Sequence, residues 1–189
     1  MKELQMELQK RLNGAIKIAF VGIGEEKMSD DGVGPYIISE LLDFSSNTLL
    51  FINAGTDPMA RVEDLVNFEP SHLVFIDTCT YPGEPGTVAL LERKDLQEYV
   101  SISSHTIPVH IVIDLITERL PSITTFMIGI VPESLGGFTT LDFYKANELS
   151  IDDRTANIDL PFWEIQLTET IKRVADQLIE IIKELISNS

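Results

Sequence analysis

The side chains with the most chemical potential in this sequence are a few acids, one imidazole and one thiol. Asp30 and Asp31 sit in GIGEEKMSDDGVG (residues 22–34), Asp77 and Cys79 in FIDTC, His105 in SSHTIPV and Glu133 in MIGIVPE. Asp31, Asp77 and His105 together would make a hard, mostly oxygen donor set, suited to a divalent first-row metal with coordination positions left open. Such a site can activate water or recognise a metal presented by a partner. His105 lies just before an expected helix start, where the positive helix end disfavours imidazolium and leaves a neutral ligand. Cys79 offers a rival, the thiolate nucleophile of a Cys-His-Asp hydrolase. No G-x-C-x-G-like elbow surrounds it, however, and TCTYPGEPG leads into a strand, so an inert, partly buried thiol is the favoured reading.

The loop of residues 22–34 lies between an apolar run and a helical pattern, the layout with which many nucleotide-binding folds begin. Its chemistry points the other way. A dinucleotide fingerprint needs a third glycine where Lys27 stands. A pyrophosphate also needs a helix N-terminus free of competing negative charge, and Asp30 and Asp31 occupy that end. The G-x-x-x-x-G-K-[ST] phosphate loop is absent, and no alternating D-x-D-x-D-G precedes the glycine as a calcium loop requires. The ordinary role for Asp31 is a helix N-cap, with Gly32 opening the first turn and Asp30 favoured by the helix dipole. Asp77 ends a buried run, where a carboxylate is costly to desolvate unless it is paired, metal-bound or hydrogen-bonded to loop amides.

The elements that must position these groups follow from the apolar pattern. Strands are expected at residues 16–21, 49–52, 73–76, 87–91 and 123–130. Helices are expected at 33–42, with Val33, Ile37, Ile38, Leu41 and Leu42 on one face, and at about 60–68. Another, at 108–120, has Pro108 in its first turn and Thr106 as N-cap. The strand at 87–91 follows Asp77 too closely for a helical crossover and is expected to be antiparallel or at an edge. Residues 136–162 read as a long surface excursion. Residues 163–187 read as a C-terminal helix whose stripe is Ile171, Val174, Leu178, Ile182 and Leu185. The whole predicts one α/β domain over residues 1–189. Its architecture is a three-layer sandwich with a mostly parallel twisted sheet of about five strands and helices on both faces. Ligands in such sheets collect beyond the strand carboxyl ends at a topological switch point, which is where the loops bearing Asp30, Asp31, Asp77, Cys79, His105 and Glu133 belong. His72 opens a strand at the opposite end, and His110 stands about 140° round the helix from His105. Both read as structural.

A net charge of −16 disfavours nucleic acid and anionic membranes as partners and suits cations and basic peptides, although much of it serves solubility. No apolar run approaches the roughly 18 residues of a membrane span. The opening MKELQMELQKRLNG reads as a short amphipathic helix rather than a signal peptide. A single cysteine excludes an internal disulfide and fits a reducing cytoplasm, the expected location.

Taken in order, strand-GIGxxxxxDDGVGP-helix, FIDTCTYPGEPGT, SSHTIPV and MIGIVPE resemble the nickel–iron hydrogenase maturation endopeptidases. The resemblance runs from Ile16 to Glu133 and includes the final helix. It implies an endopeptidase that removes the C-terminal extension of a hydrogenase large-subunit precursor once nickel has been inserted. It implies further that Asp31, Asp77 and His105 are the catalytic and metal-binding positions. They would engage nickel carried by the substrate, with other divalent cations bound weakly when the protein is alone. A non-cleaving, nickel-dependent checkpoint or chaperone for the same precursor is the alternative, alongside the hydrolase built on Cys79. One departure stands out, because the family usually has Asn directly after G-x-G, where this chain has Glu25 and then Glu26. That puts a different hydrogen-bonding group in the loop and could add a carboxylate near the metal.

Overall fold

The computed structural model of the chain describes residues 1–99, 107–136 and 166–187. A first helix, α1 (Lys2–Arg11), leads into β1 (Ile18–Ile23), a 3-10 turn (Ser29–Gly32) and α2 (Val33–Ser39). Then come β2 (Leu49–Gly55), α3 (Val62–Phe68), β3 (His72–Thr78) and β4 (Val88–Leu91). The last elements are α4 (Val109–Arg119), β5 (Thr124–Ile130) and α5 (Glu169–Ser187).

The five strands form one sheet in the order β2-β1-β3-β5-β4. Four are parallel, and β4 alone runs antiparallel, against β5, at one edge. The short connection between β3 and β4 dictates this, because a parallel return needs a crossover of a dozen or more residues. Strand alternation divides the core. Phe20, Val74, Ile76, Phe126 and Ile128 face α1, α2 and α5, whereas Ala19, Val21, Leu73, Phe75 and Met127 face α3 and α4. The buried stripe of α5 is Ile171, Val174, Leu178 and Ile182, with Leu185 packed at its end. Truncating Leu178 to Ala should cost about 2–5 kcal/mol.

Chain order reverses between β1 and β3, the topological switch point of this sheet. Three local expectations need correction. The α-helix after the glycine loop ends at Ser39, so Leu41 is buried while Leu42 is 47% exposed rather than on the inner face. Pro108, with ψ of 138°, is the extended residue before α4 rather than part of its first turn. The described C-terminal helix begins at Glu169. Trp163, Thr106 and residues 137–162 of the expected excursion lie outside the described residues.

Candidate active site

The glycine loop works by close backbone approach. Gly24 has φ of +138°, and a Cβ there would stand 1.7 Å from the carbonyl oxygen of Asp31. A Cβ on Gly34 would stand 2.4 Å from the carbonyls of both Ile23 and Ile76. Bare backbone at these two positions lets the 3-10 turn and the start of α2 rest directly on the ends of β1 and β3. Ser29, with φ of +50°, turns the chain into that 3-10 segment. Asp30 and Asp31 are thereby carried to the switch-point end of the sheet, both buried.

Neither aspartate caps α2, which corrects the ordinary reading. The residue before α2 is Gly32, and no side chain caps that end. Asp31 instead accepts a hydrogen bond from the backbone N–H of Glu25 at 2.8 Å and one from the Thr78 hydroxyl at 3.3 Å. Asp77, at the end of β3, accepts from the N–H of Thr78 at 2.7 Å and lies 3.4 Å from the same hydroxyl. A hydroxyl has one hydrogen and serves one carboxylate at a time. Thr78 Oγ1 therefore stands between Asp31 Oδ1 and Asp77 Oδ1, and all three residues are buried.

The strand geometry explains the meeting. Thr78 continues the Val74–Ile76 register on the side of α2, and Asp77 continues the Leu73–Phe75 register on the side of α3 and α4. An acid from the 3-10 turn and an acid from the end of β3 thus converge at one strand end. Two buried carboxylates joined by a single hydroxyl make an oxygen donor set that attracts a hard or borderline cation. Among the described residues no third His, Cys, Asp or Glu completes a metal-sized cluster. His105 lies outside the described residues.

The remaining candidates separate cleanly. Asp30 is saturated by long-range hydrogen bonds from Glu133, Ser134 and Thr168. Glu133 contributes its backbone N–H to Asp30, and its side chain is exposed. Cys79 is completely buried, and burial pushes its thiol pKa up, which disfavours the thiolate a nucleophile needs. His72 is buried at the far end of β3, its Nδ1 3.0 Å from the Ser71 hydroxyl, and burial lowers its pKa. The Glu25 carboxylate accepts from the N–H of Lys27, and that of Glu26 accepts from the side-chain amide of Asn53 at 2.9 Å. The loop thus meets an amide side chain from β2 although its own sequence has none after G-x-G. Sequence reasoning overlooked Thr78; its place directly after Asp77, where a strand alternates faces, was the available signal.

This geometry defines an α/β protein with two buried carboxylates brought together at the switch point of a mainly parallel sheet. The profile of the hydrogenase maturation proteases named HycI matches residues 35–158, and the chain belongs to that family of proteases. The matched span includes Asp77 and begins after Asp31. A provisionally named hydrogenase maturation protease of Methanocaldococcus jannaschii is 26% identical over 98% of both chains. The hydrogenase 3 maturation protease of Escherichia coli is 23% identical over 60% of this chain and 72% of its own. The crystal structure of the [NiFe] hydrogenase maturation protease HycI from Thermococcus kodakarensis superposes with a TM-score of 0.74 at 24% identity, covering 96% of this chain and 99% of that one. The three-layer fold is therefore the one these proteases share. No helix among the described residues is long and apolar enough to cross a membrane.

Proposed function

We propose that the chain is the endopeptidase that removes the C-terminal extension of a nickel–iron hydrogenase large-subunit precursor after nickel insertion, and that it recognises the nickel carried by that substrate. The convergence of Asp31 and Asp77 on Thr78 supports this reading best. Hard carboxylate oxygens at a strand-end crevice can complete the shell of a borderline metal whose remaining ligands belong to another protein. Held there, the nickel places the adjoining scissile peptide beside the two acids, and positioning of that kind lowers a barrier without a resident cofactor. His105 is the third ligand in this reading, and nickel reaches the enzyme as part of its substrate. The cytoplasm, whose reducing conditions suit a chain with a single cysteine, is the corresponding location. A net charge of −16 favours approach by a basic patch or tail.

The test is a cleavage assay on nickel-loaded and nickel-free precursor, using the wild type and Asp31→Asn, Asp77→Asn, His105→Ala and Cys79→Ala. The expected result is cutting of loaded precursor only, lost in the first three variants and kept in Cys79→Ala. Cutting that persists in all three ligand variants overturns the reading. Loss confined to Cys79→Ala would promote the thiol hydrolase, and nickel-dependent binding without cutting would identify a checkpoint.

A further inference from the structure

Asp30 adjoins Asp31 and is equally hidden, with 0% of its surface exposed. Its carboxylate is engaged elsewhere. Oδ2 accepts from the N–H of Glu133 at 2.9 Å, the N–H of Ser134 at 2.8 Å and the hydroxyl of Thr168 at 3.1 Å. Oδ1 accepts from the N–H of Thr168 at 2.7 Å. Its own N–H donates to the carbonyl of Ser134 at 3.1 Å. One side chain thus ties together the 3-10 turn after β1, the loop after β5 and the residue preceding α5.

Four donors on one anion are the arrangement that makes burying a carboxylate tolerable without a metal, and charge-assisted bonds are roughly twice as strong as neutral ones. Because N–H and O–H groups occupy both oxygens, Asp30 is poorly placed to ligate a cation as well. The rigidity it supplies reaches the next residue directly. The carbonyl of Asp31 is packed against Gly24, so the 3-10 turn cannot shift without moving the backbone that carries the Asp31 carboxylate.

We propose that Asp30 is a positioning residue for the cleavage reaction: its carboxylate fastens the glycine loop to the loop after β5 and the root of α5, and so sets where Asp31 sits against Thr78. This inference rests on the reading in which Asp31 engages the substrate's nickel.

The experiment is single-turnover cleavage of nickel-loaded precursor over a range of enzyme concentrations, with the melting temperature of each variant measured alongside. Asp30→Asn keeps the shape but turns an amide N–H toward N–H donors whichever way it flips. It should slow the maximal rate about 100-fold, as a misplaced reacting group does, while the half-saturating concentration moves by less than about twofold. Thr168→Val removes the hydroxyl that donates to Asp30 and accepts from the N–H of Ile171; it should slow the rate about fivefold, and Thr168→Ser should restore it. Ile182→Val, in the core of α5, supplies a stability control: a comparable melting loss without the rate loss. The proposal is overturned if Asp30→Asn is slowed no more than Ile182→Val while Asp31→Asn is inactive. If Asp30→Asn does not fold, equal wild-type rates for both Thr168 variants overturn it. Wild-type cutting by Asp31→Asn would instead remove the nickel reading underneath it.

Discussion

The two ends of β3 each bury a titratable side chain, and they do so for different reasons. At the N-terminal end, the His72 imidazole meets the Ser71 hydroxyl. That hydroxyl also takes the N–H groups of Ile16 and Lys17 and donates to the carbonyl of Lys17. The result is a knot that fastens β1 to β3 with neutral partners. At the C-terminal end, Asp77 meets a second carboxylate, Asp31, with the Thr78 hydroxyl between them. One end satisfies its polar group with a neighbouring neutral hydroxyl. The other brings two buried carboxyl groups together, an arrangement that is costly to desolvate and useful for binding a cation.

The largest effects should come from the carboxylate end. Asp31→Asn and Asp77→Asn should each slow cleavage of nickel-loaded precursor by about 100- to 1000-fold, the scale of losing a preorganised electrostatic group. Ser71→Ala, at the other end, should leave the rate unchanged and lower stability by about 1 kcal/mol, measured by urea unfolding. A rate loss in Ser71→Ala matching that of the aspartates would break the contrast.

Gly24→Ala should come next, because its Cβ cannot coexist with the Asp31 carbonyl 1.7 Å away. The 3-10 turn must move, and a loss of at least about 2 kcal/mol together with most of the activity is expected. Thr78→Val keeps the volume and removes the hydroxyl shared by the two acids. A rate about tenfold lower, with Thr78→Ser close to wild type, would show that the hydroxyl organises the pair.

The smallest effect concerns pH at the His72 end. Burial lowers the folded-state pKa of His72, so the unfolded chain binds the proton first as pH falls. Its contribution is intact above the ordinary histidine value of about 6.5 and is lost progressively below it. The melting temperature should therefore fall between pH 7 and pH 5.5, and fall less in His72→Asn. An identical fall in both proteins would show that His72 is not the group responsible.

Much of this contrast was legible in the sequence, for identifiable reasons. Apolar runs mark the strands, and the short link between Asp77 and β4 dictates the antiparallel edge. Placing Asp31 and Asp77 at one crevice needs only the rule that ligand sites gather at strand carboxyl ends where chain order reverses. The division of labour between Asp30 and Asp31 was not legible. Both stand before a helix, and Asp30's partners Glu133, Ser134 and Thr168 lie 103 to 138 residues away in the chain. Local capping rules therefore assigned both acids to the helix, whereas tertiary contacts claim each for a different task. The pairing of Glu26 with Asn53 was hidden in the same way, since an amide supplied by β2 cannot be inferred from the loop's own composition. The end of α2 was misjudged because Leu41 and Leu42 look alike in hydropathy while only Leu41 reaches the core.

The central claim is that Asp31 and Asp77 bind the substrate's nickel, and the nickel itself reports on this. The direct measurement is a nickel K-edge absorption spectrum of nickel-loaded precursor, freeze-quenched with the wild-type protein and with the Asp31→Asn/Asp77→Asn double variant. The account predicts new oxygen donors in the nickel shell with the wild type and none with the double variant. A nickel shell that stays the same in both, while the wild type still cuts the peptide, would contradict it.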